Sequence, residues 1–352
     1  MKKVLVTGIL GQDGASMANY LLNKSNEDVR VYGMMRRLST PNYVNTEDFS
    51  ANKNFEFVCG DLSDEVSLNN LVRDIQPDYF INFGANSFVG CSWDMPVQVF
   101  DVNSLGVVRC LEAIRKHAPK CKFYSAGSSE EMGDVDYSPQ DLKHPLKPRS
   151  PYAASKAAAR HIVKVYRESY DMYAIHGVLF NHEGIRRGEE FVTRKITKGV
   201  ARIHNALKND KEFDPIELGN VNAFRDWSDS DDFVVGVWLM LHQETPKDYI
   251  LSSNETHSIK EFVTKAFHHA GMAGNWTEIE GDELRTKFFL NLEDYRVAVQ
   301  INPKYYRPAE VAKLWGDSSP AREELGWKPK TSFDGLVKKM VDWDIEKFKH
   351  TT

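Results

Sequence analysis

An α/β fold, with a Rossmann-type doubly wound parallel sheet and a smaller C-terminal α/β lobe, is what this sequence predicts. Three observations carry the prediction. Short β-branched or aromatic runs alternate with longer amphipathic stretches through the first half, the runs are apolar almost throughout, and a glycine-rich turn follows the first of them. Runs apolar on both faces, spaced by helices, belong to a parallel sheet covered on both sides.

Taken in order, Val4–Thr7 reads as the first strand and Asp13–Lys24 as its helix, followed by a strand at Val29–Met34. Phe55–Cys59 precedes a helix at Asp64–Ile75, and Tyr79–Phe83 one at Met95–His117. Lys122–Ser125 is paired with a helix at Tyr152–Tyr170, and Tyr173–Phe180 closes the series. After about Asn181 the pattern loosens into charged helices and short strands punctuated by Pro215, Pro246, Pro303, Pro308 and Pro329. The expectation is a cofactor-binding domain over residues 1–180 and a lobe for the second ligand over 181–352, with the chain free to cross between them.

Composition narrows the function. The 352 residues hold 45 Lys+Arg against 50 Asp+Glu, a net charge of −5, which argues against a binder of nucleic acid polymers or anionic membranes. The uncharged run Phe233–Leu241 is far too short to span a bilayer, and no export signal is visible. Cys59, Cys91, Cys110 and Cys121 are irregularly spaced with no Cys-x-x-Cys pair, so neither a disulfide framework nor a metal site is expected. A cytoplasmic enzyme is the reading.

Gly8-Ile9-Leu10-Gly11-Gln12-Asp13-Gly14 sits between the first strand and its helix. Glycines there permit a tight turn and close backbone approach, and the helix start offers free N–H groups to a pyrophosphate. The second strand runs into Arg36-Arg37-Leu38-Ser39, where an NAD-binding chain usually has Asp or Glu for the ribose hydroxyl. Two guanidinium groups suit a 2′-phosphate, so the expected cofactor is NADP. Asp61 and Leu62 follow the third strand and Phe83-Gly84-Ala85-Asn86-Ser87 the fourth, at the carboxyl ends where such sheets meet their ligands.

Tyr152 and Lys156 stand four apart on a predicted helix and so share a face. An ammonium beside a phenol favours phenolate, and the expectation is a tyrosine pKa lowered toward a useful base. Ser128, after the fifth strand, can hydrogen-bond a substrate hydroxyl. Glu130, two residues on, is more than hydride transfer needs; it points to a proton moved to or from carbon with loss of water.

These segments, and above all Asn181-His182-Glu183-Gly184-Ile185-Arg186-Arg187-Gly188 with Phe191-Val192-Thr193-Arg194-Lys195, resemble the GDP-mannose 4,6-dehydratase family of the extended short-chain dehydrogenase/reductases. The resemblance extends through Arg225-Asp226-Trp227 and Tyr306-Arg307-Pro308-Ala309-Glu310 to Leu325-Gly326-Trp327. It implies that Ser128, Glu130, Tyr152 and Lys156 are catalytic, that Lys156, His182 and Arg187 join the loops above in holding NADP, and that Asn181, Val192, Lys195, Arg225, Arg307 and Glu310 hold a GDP-linked sugar. It also implies a homodimer or homotetramer. The chain departs from the family with Ser128 for threonine, Glu131-Met132 for Leu-Tyr, Leu38 for serine and Gln98 for a tyrosine. Dehydration of GDP-manno-heptose is the alternative that keeps the same chemistry. An NADP-dependent sugar-nucleotide reductase or epimerase would not need Glu130, and a non-enzymatic NADP-binding protein would need none of the four catalytic residues together.

Overall fold

The computed structural model describes residues 1–349 except 281, 293–294, 307–310 and 312. Six strands run in parallel: β1 (Lys2–Thr7), β2 (Val29–Met35), β3 (Phe55–Cys59), β4 (Tyr79–Asn82), β5 (Lys122–Ala126) and β6 (Ala174–Leu179). Their order across the sheet is β3-β2-β1-β4-β5-β6, and a short strand at Ile250–Leu251 adds to the β6 edge. The order reverses between β1 and β4, so a crevice opens there at the carboxyl ends. Thr7 closes its floor: its hydroxyl donates to Asn82 Oδ1 at 2.5 Å and accepts from the Gly84 amide at 2.9 Å.

Alternation along the strands builds two cores. Val4 and Val6 point to one face with Val237 and Trp327, while Leu5 points to the other with Leu111, Phe123 and Val163. Helices cover both faces for reasons visible locally. Asp64 caps Glu65–Ile75 by accepting from the Val66 and Ser67 amides, and Ser150 caps Pro151–Tyr170 through the Ala153 amide with proline at the first helical position. The stretch expected as one helix over Met95–His117 is helical from Pro96 to His117 but widens into a π turn at Asp101–Leu105. That turn brings the Asn103 amide against Asn86 O (3.2 Å) and Ser155 Oγ (3.1 Å), joining the β4 loop to the helix of Tyr152.

A separate core lies further along the chain, where helices Val192–Lys208, Ile259–His269 and Phe333–Lys349 pack with a four-stranded sheet ordered 274–279, 282–290, 297–301 and 216–218. Trp227 stacks on Phe333 within it, ring centroids 5.8 Å apart. Between these pieces the chain returns to the first sheet. Helix Ser230–Leu241 and the Ser319–Leu325 helix are buried in its core, and Trp327 Nε1 donates to Asp232 O at 2.9 Å. Burying an indole of this kind contributes on the order of 3 kcal/mol. Among the described residues, no helix is long and apolar enough to cross a membrane.

Candidate active site

The glycine loop is as tight as its spacing predicts. Gly8 has φ +69°, and a Cβ there would come within 3.0 Å of the Gly84 backbone; one on Gly14 would lie 2.3 Å from Gly8 O. The helix that follows, Gln12–Asn19, has no side-chain cap at its N-terminus, so its leading amides are left for a ligand. Ile9 is fully buried in the core, so only its backbone can face a cofactor. Leu10 is half-buried. Arg36, Arg37, Leu38 and Ser39 leave the end of β2 exposed. Asp61 uses its carboxylate to accept from the Ser63 amide and hydroxyl, and Leu62 is buried against Gly84. Phe83 and Ala85 line the central cavity with Ser87, while Asn86 is held by Asn103.

Asp13 and His182 meet across this loop. His182 Nε2 lies 3.0 Å from Asp13 Oδ2 and Nδ1 lies 2.7 Å from Phe180 O, while the ring stacks on Phe233. Both nitrogens face oxygens that accept when Asp13 is ionised, an arrangement that favours the imidazolium. Burial works against each charge, but the pair outweighs it: His182 is raised above its ordinary value and Asp13 lowered to about 2, with Arg187 adding to the latter.

A cavity of about 700 Å³ collects most of the candidates. Ser128, Glu130, Tyr152 and Lys156 lie on it, with Asp13, His182 and Arg187 toward the glycine loop and Asn181, Val192, Lys195 and Arg225 on the remaining wall. The Lys156 ammonium donates to Ala126 O at 2.7 Å and stands 6.0 Å from the centre of the Tyr152 ring. Burial lowers Lys156 to about 8, opposed by Glu131 and Asp13. The expected lowering of Tyr152 is corrected here: burial raises its phenol above the ordinary value, and the Ser128 side chain, which hydrogen-bonds it, offsets that only in part. The lysine bonds the sheet, not the phenol.

Lys195 lies 3.3 Å over the Tyr305 ring, and Arg187 lies 3.6 Å over Phe191 while pairing with Glu183 at 3.0 Å. Arg225 donates to Phe224 O, and neighbouring Asp226 accepts from the Ser253, Asn254 and Gly316 amides, fixing that strand. Gln98 is exposed. Arg307 and Glu310 lie outside the described residues. Sequence reasoning missed the aromatic wall of Phe88, Trp93, Phe191 and Tyr305, the brace at Asn103, and the burial of Glu131. Of these, Phe191 stands in the family-like string and Tyr305 next to Tyr306-Arg307; the others left no signal, since single side chains on separate loops make no motif.

A parallel sheet reversing at β1/β4, with a glycine loop at the reversal and a serine, tyrosine and lysine gathered at the end of β5, defines an extended short-chain dehydrogenase/reductase. Solved structures share this fold. DesIV, a dTDP-glucose 4,6-dehydratase from Streptomyces venezuelae with NAD and TYD bound, superposes with a TM-score of 0.81 at 21% identity over 99% of this chain and 98% of its own. RMD from Pseudomonas aeruginosa complexed with NADPH gives 0.76 at 19% identity, over 99% and 100%. The chain belongs to the GDP-mannose 4,6 dehydratase family, whose model matches residues 5–340. GDP-mannose 4,6 dehydratases of Drosophila melanogaster and Homo sapiens are 42% and 40% identical to it, over 98% and 97% of this chain and 86% and 91% of theirs.

The Asp13–His182 pair sets a pH dependence of stability. Asp13, lowered when folded, contributes above about pH 4 and loses that as pH falls toward 2; His182, raised when folded, contributes below about pH 6.5 and loses that as pH rises through its folded value. Asp13→Asn is expected to cost roughly 2 kcal/mol at pH 5.5 and clearly less at pH 3. Urea unfolding at the two pH values measures the difference; an equal cost at both would contradict a charged pair.

Proposed function

We propose that the protein is an NADP-dependent GDP-mannose 4,6-dehydratase, a lyase that makes GDP-4-keto-6-deoxymannose. The observation that carries the reading is Glu130 on one cavity with Ser128, Tyr152 and Lys156, in a chain of this family. Oxidation and reduction alone need no such carboxyl; elimination of water does.

The cradle at Gly8 and Gly14, too close for any Cβ, and the uncapped helix start fit a dinucleotide pyrophosphate, with Arg36 and Arg37 for the 2′-phosphate. When bound, the cofactor would supply a hydride acceptor for sugar C4 and a hydride donor for C6. Tyr152 accepts the proton of the 4-hydroxyl, with Ser128 holding that oxygen. Lys156, as ammonium, stabilises the phenolate that must form despite burial. Glu130 removes the C5 proton, acidified by the 4-ketone, and delivers it to the departing C6 hydroxyl, so that water leaves; as C6 receives hydride, the proton held by Tyr152 passes to C5 and the phenolate is restored. Lys195, Arg225 and, beyond the described residues, Arg307 supply charge-assisted donors to the GDP diphosphate. In this assignment residues 1–180 hold mainly the cofactor and 181–352 mainly the sugar nucleotide, in a cytoplasmic homo-oligomer. Val97, 82% exposed, with Phe100 and Leu105 beside it, forms an apolar patch suited to a second copy.

Purified protein mixed with GDP-mannose, without added reductant, is expected to yield the 4-keto-6-deoxy product, and Glu130→Gln to reduce turnover at least a hundredfold. No product from wild type would sink the reading, and product only from GDP-manno-heptose would move it to that substrate. Arg36→Ala with Arg37→Ala is expected to weaken NADP tenfold or more by calorimetry while sparing NAD; equal losses would remove the 2′-phosphate assignment. Light scattering is expected to give a multiple of the 40.2 kDa chain mass, and Val97→Asp to reduce it; a monomeric wild type would contradict the oligomer.

A further inference from the structure

Beneath Ser128 lies a buried pair that the chemistry above does not use. Glu131 ends the 3₁₀ turn Ser129–Glu131, His176 sits in β6, and both side chains are 0% exposed. Glu131 Oε1 accepts from the Ser128 amide at 2.7 Å and lies 2.9 Å from His176 Nε2. The approach requires glycine at 127. A Cβ there would stand 2.3 Å from His176 Nε2 and 2.8 Å from Glu131 Oε1. His176 is itself anchored, its amide donating to Asp248 Oδ1 at 2.9 Å.

A buried carboxylate is costly unless it is paired and hydrogen-bonded, and one bonded this way carries a charge into the site's underside. The titratable and charged groups around it come from every neighbouring element. Lys156, Tyr152 and Arg160 face it from the Pro151–Tyr170 helix, Tyr124 from β5, His176 from β6 and Glu130 from its own turn; Asp13 adds to the field at Lys156. Lys156 is the group whose charge the reaction needs and whose burial works against it. Lys156 Nζ bonds Ala126 O at 2.7 Å and Glu131 Oε1 holds the Ser128 amide at 2.7 Å, so ammonium and carboxylate are fastened to the same three-residue stretch of backbone, and the carboxylate opposes that burial.

We propose that Glu131, held by His176, is a positioning residue that fixes the Ser128 turn through the Ser128 amide and supplies the buried negative charge that keeps Lys156 an ammonium beside Tyr152. The kinetic arm of its test rests on the dehydratase reading; the labelling arm does not.

Glu131→Gln keeps an oxygen for the Ser128 amide and removes the charge, whereas Glu131→Asp keeps the charge. In the unliganded protein, the pH midpoint for acetylation of Lys156 by acetic anhydride, followed by mass spectrometry of its peptide, is expected to fall by about one pH unit in Glu131→Gln and to stay near wild type in Glu131→Asp. The alkaline limb of kcat for GDP-mannose is expected to move down by the same amount, with KM unchanged. Glu131→Leu, which removes the charge together with the bond to the Ser128 amide, serves as the second variant and is expected to lower the midpoint as well. A purely structural role would lower the melting temperature and leave the midpoint in place. An unmoved midpoint in whichever of Glu131→Gln and Glu131→Leu folds overturns the proposal. A wild type that does not turn over GDP-mannose fails the dehydratase reading alone, because the labelling needs no substrate.

Discussion

The bond from the Lys156 ammonium to the carbonyl of Ala126 is the constraint on which the site depends. It ties a helix to the last residue of β5, so Tyr152, one turn earlier, and Ser128, two residues beyond the strand, are brought to one cavity by a single anchor. The lysine is dry, and its proton is held less firmly than in water. Everything that keeps it charged therefore bears on the phenol it must support, including carboxylates on two other elements. Burial raises the Tyr152 phenol above its ordinary value, and the Ser128 side chain offsets this only in part.

Charge is distributed along the same logic. A chain with a net charge of −5 nonetheless sets Arg187, Lys195 and Arg225 around one cavity, and none of them stands in bare solvent. Arg187 lies on a phenyl ring and against Glu183, and Lys195 lies on a phenol. Guanidinium and ammonium groups parked on aromatic faces keep their charge, lose some rotational freedom before any ligand arrives, and leave their remaining donors toward the cavity.

Much of this was legible in the sequence because it obeys short-range rules. The strands declared themselves by apolar runs, the helices by Asp64, Ser150 and Pro151 at their starts, and the glycine loop by spacing that only a missing Cβ explains. What was not legible depends on contacts across the fold. The burial of Glu131 left no signal because nothing nearby in the sequence announces His176, 45 positions later on another strand. Asn103 is one polar residue in a helix until a π turn aims it at Asn86 and Ser155. The tyrosine's pKa was misjudged for the same reason: adjacency of Tyr152 and Lys156 on a helix face says nothing about which acceptor the lysine chooses.

The return of the chain to the first sheet carries a consequence for how this molecule can change. Ile250–Leu251 extends the cofactor sheet, and Trp327 is sewn into its core from near the far end of the sequence. The two halves are thus interleaved like laced fingers. A gene cut at residue 180 would leave the first half with a raw sheet edge and a bare apolar face, so the halves cannot be exchanged as cassettes. New sugar preferences in such a scaffold have to arise by substitution in the loops that face the cavity.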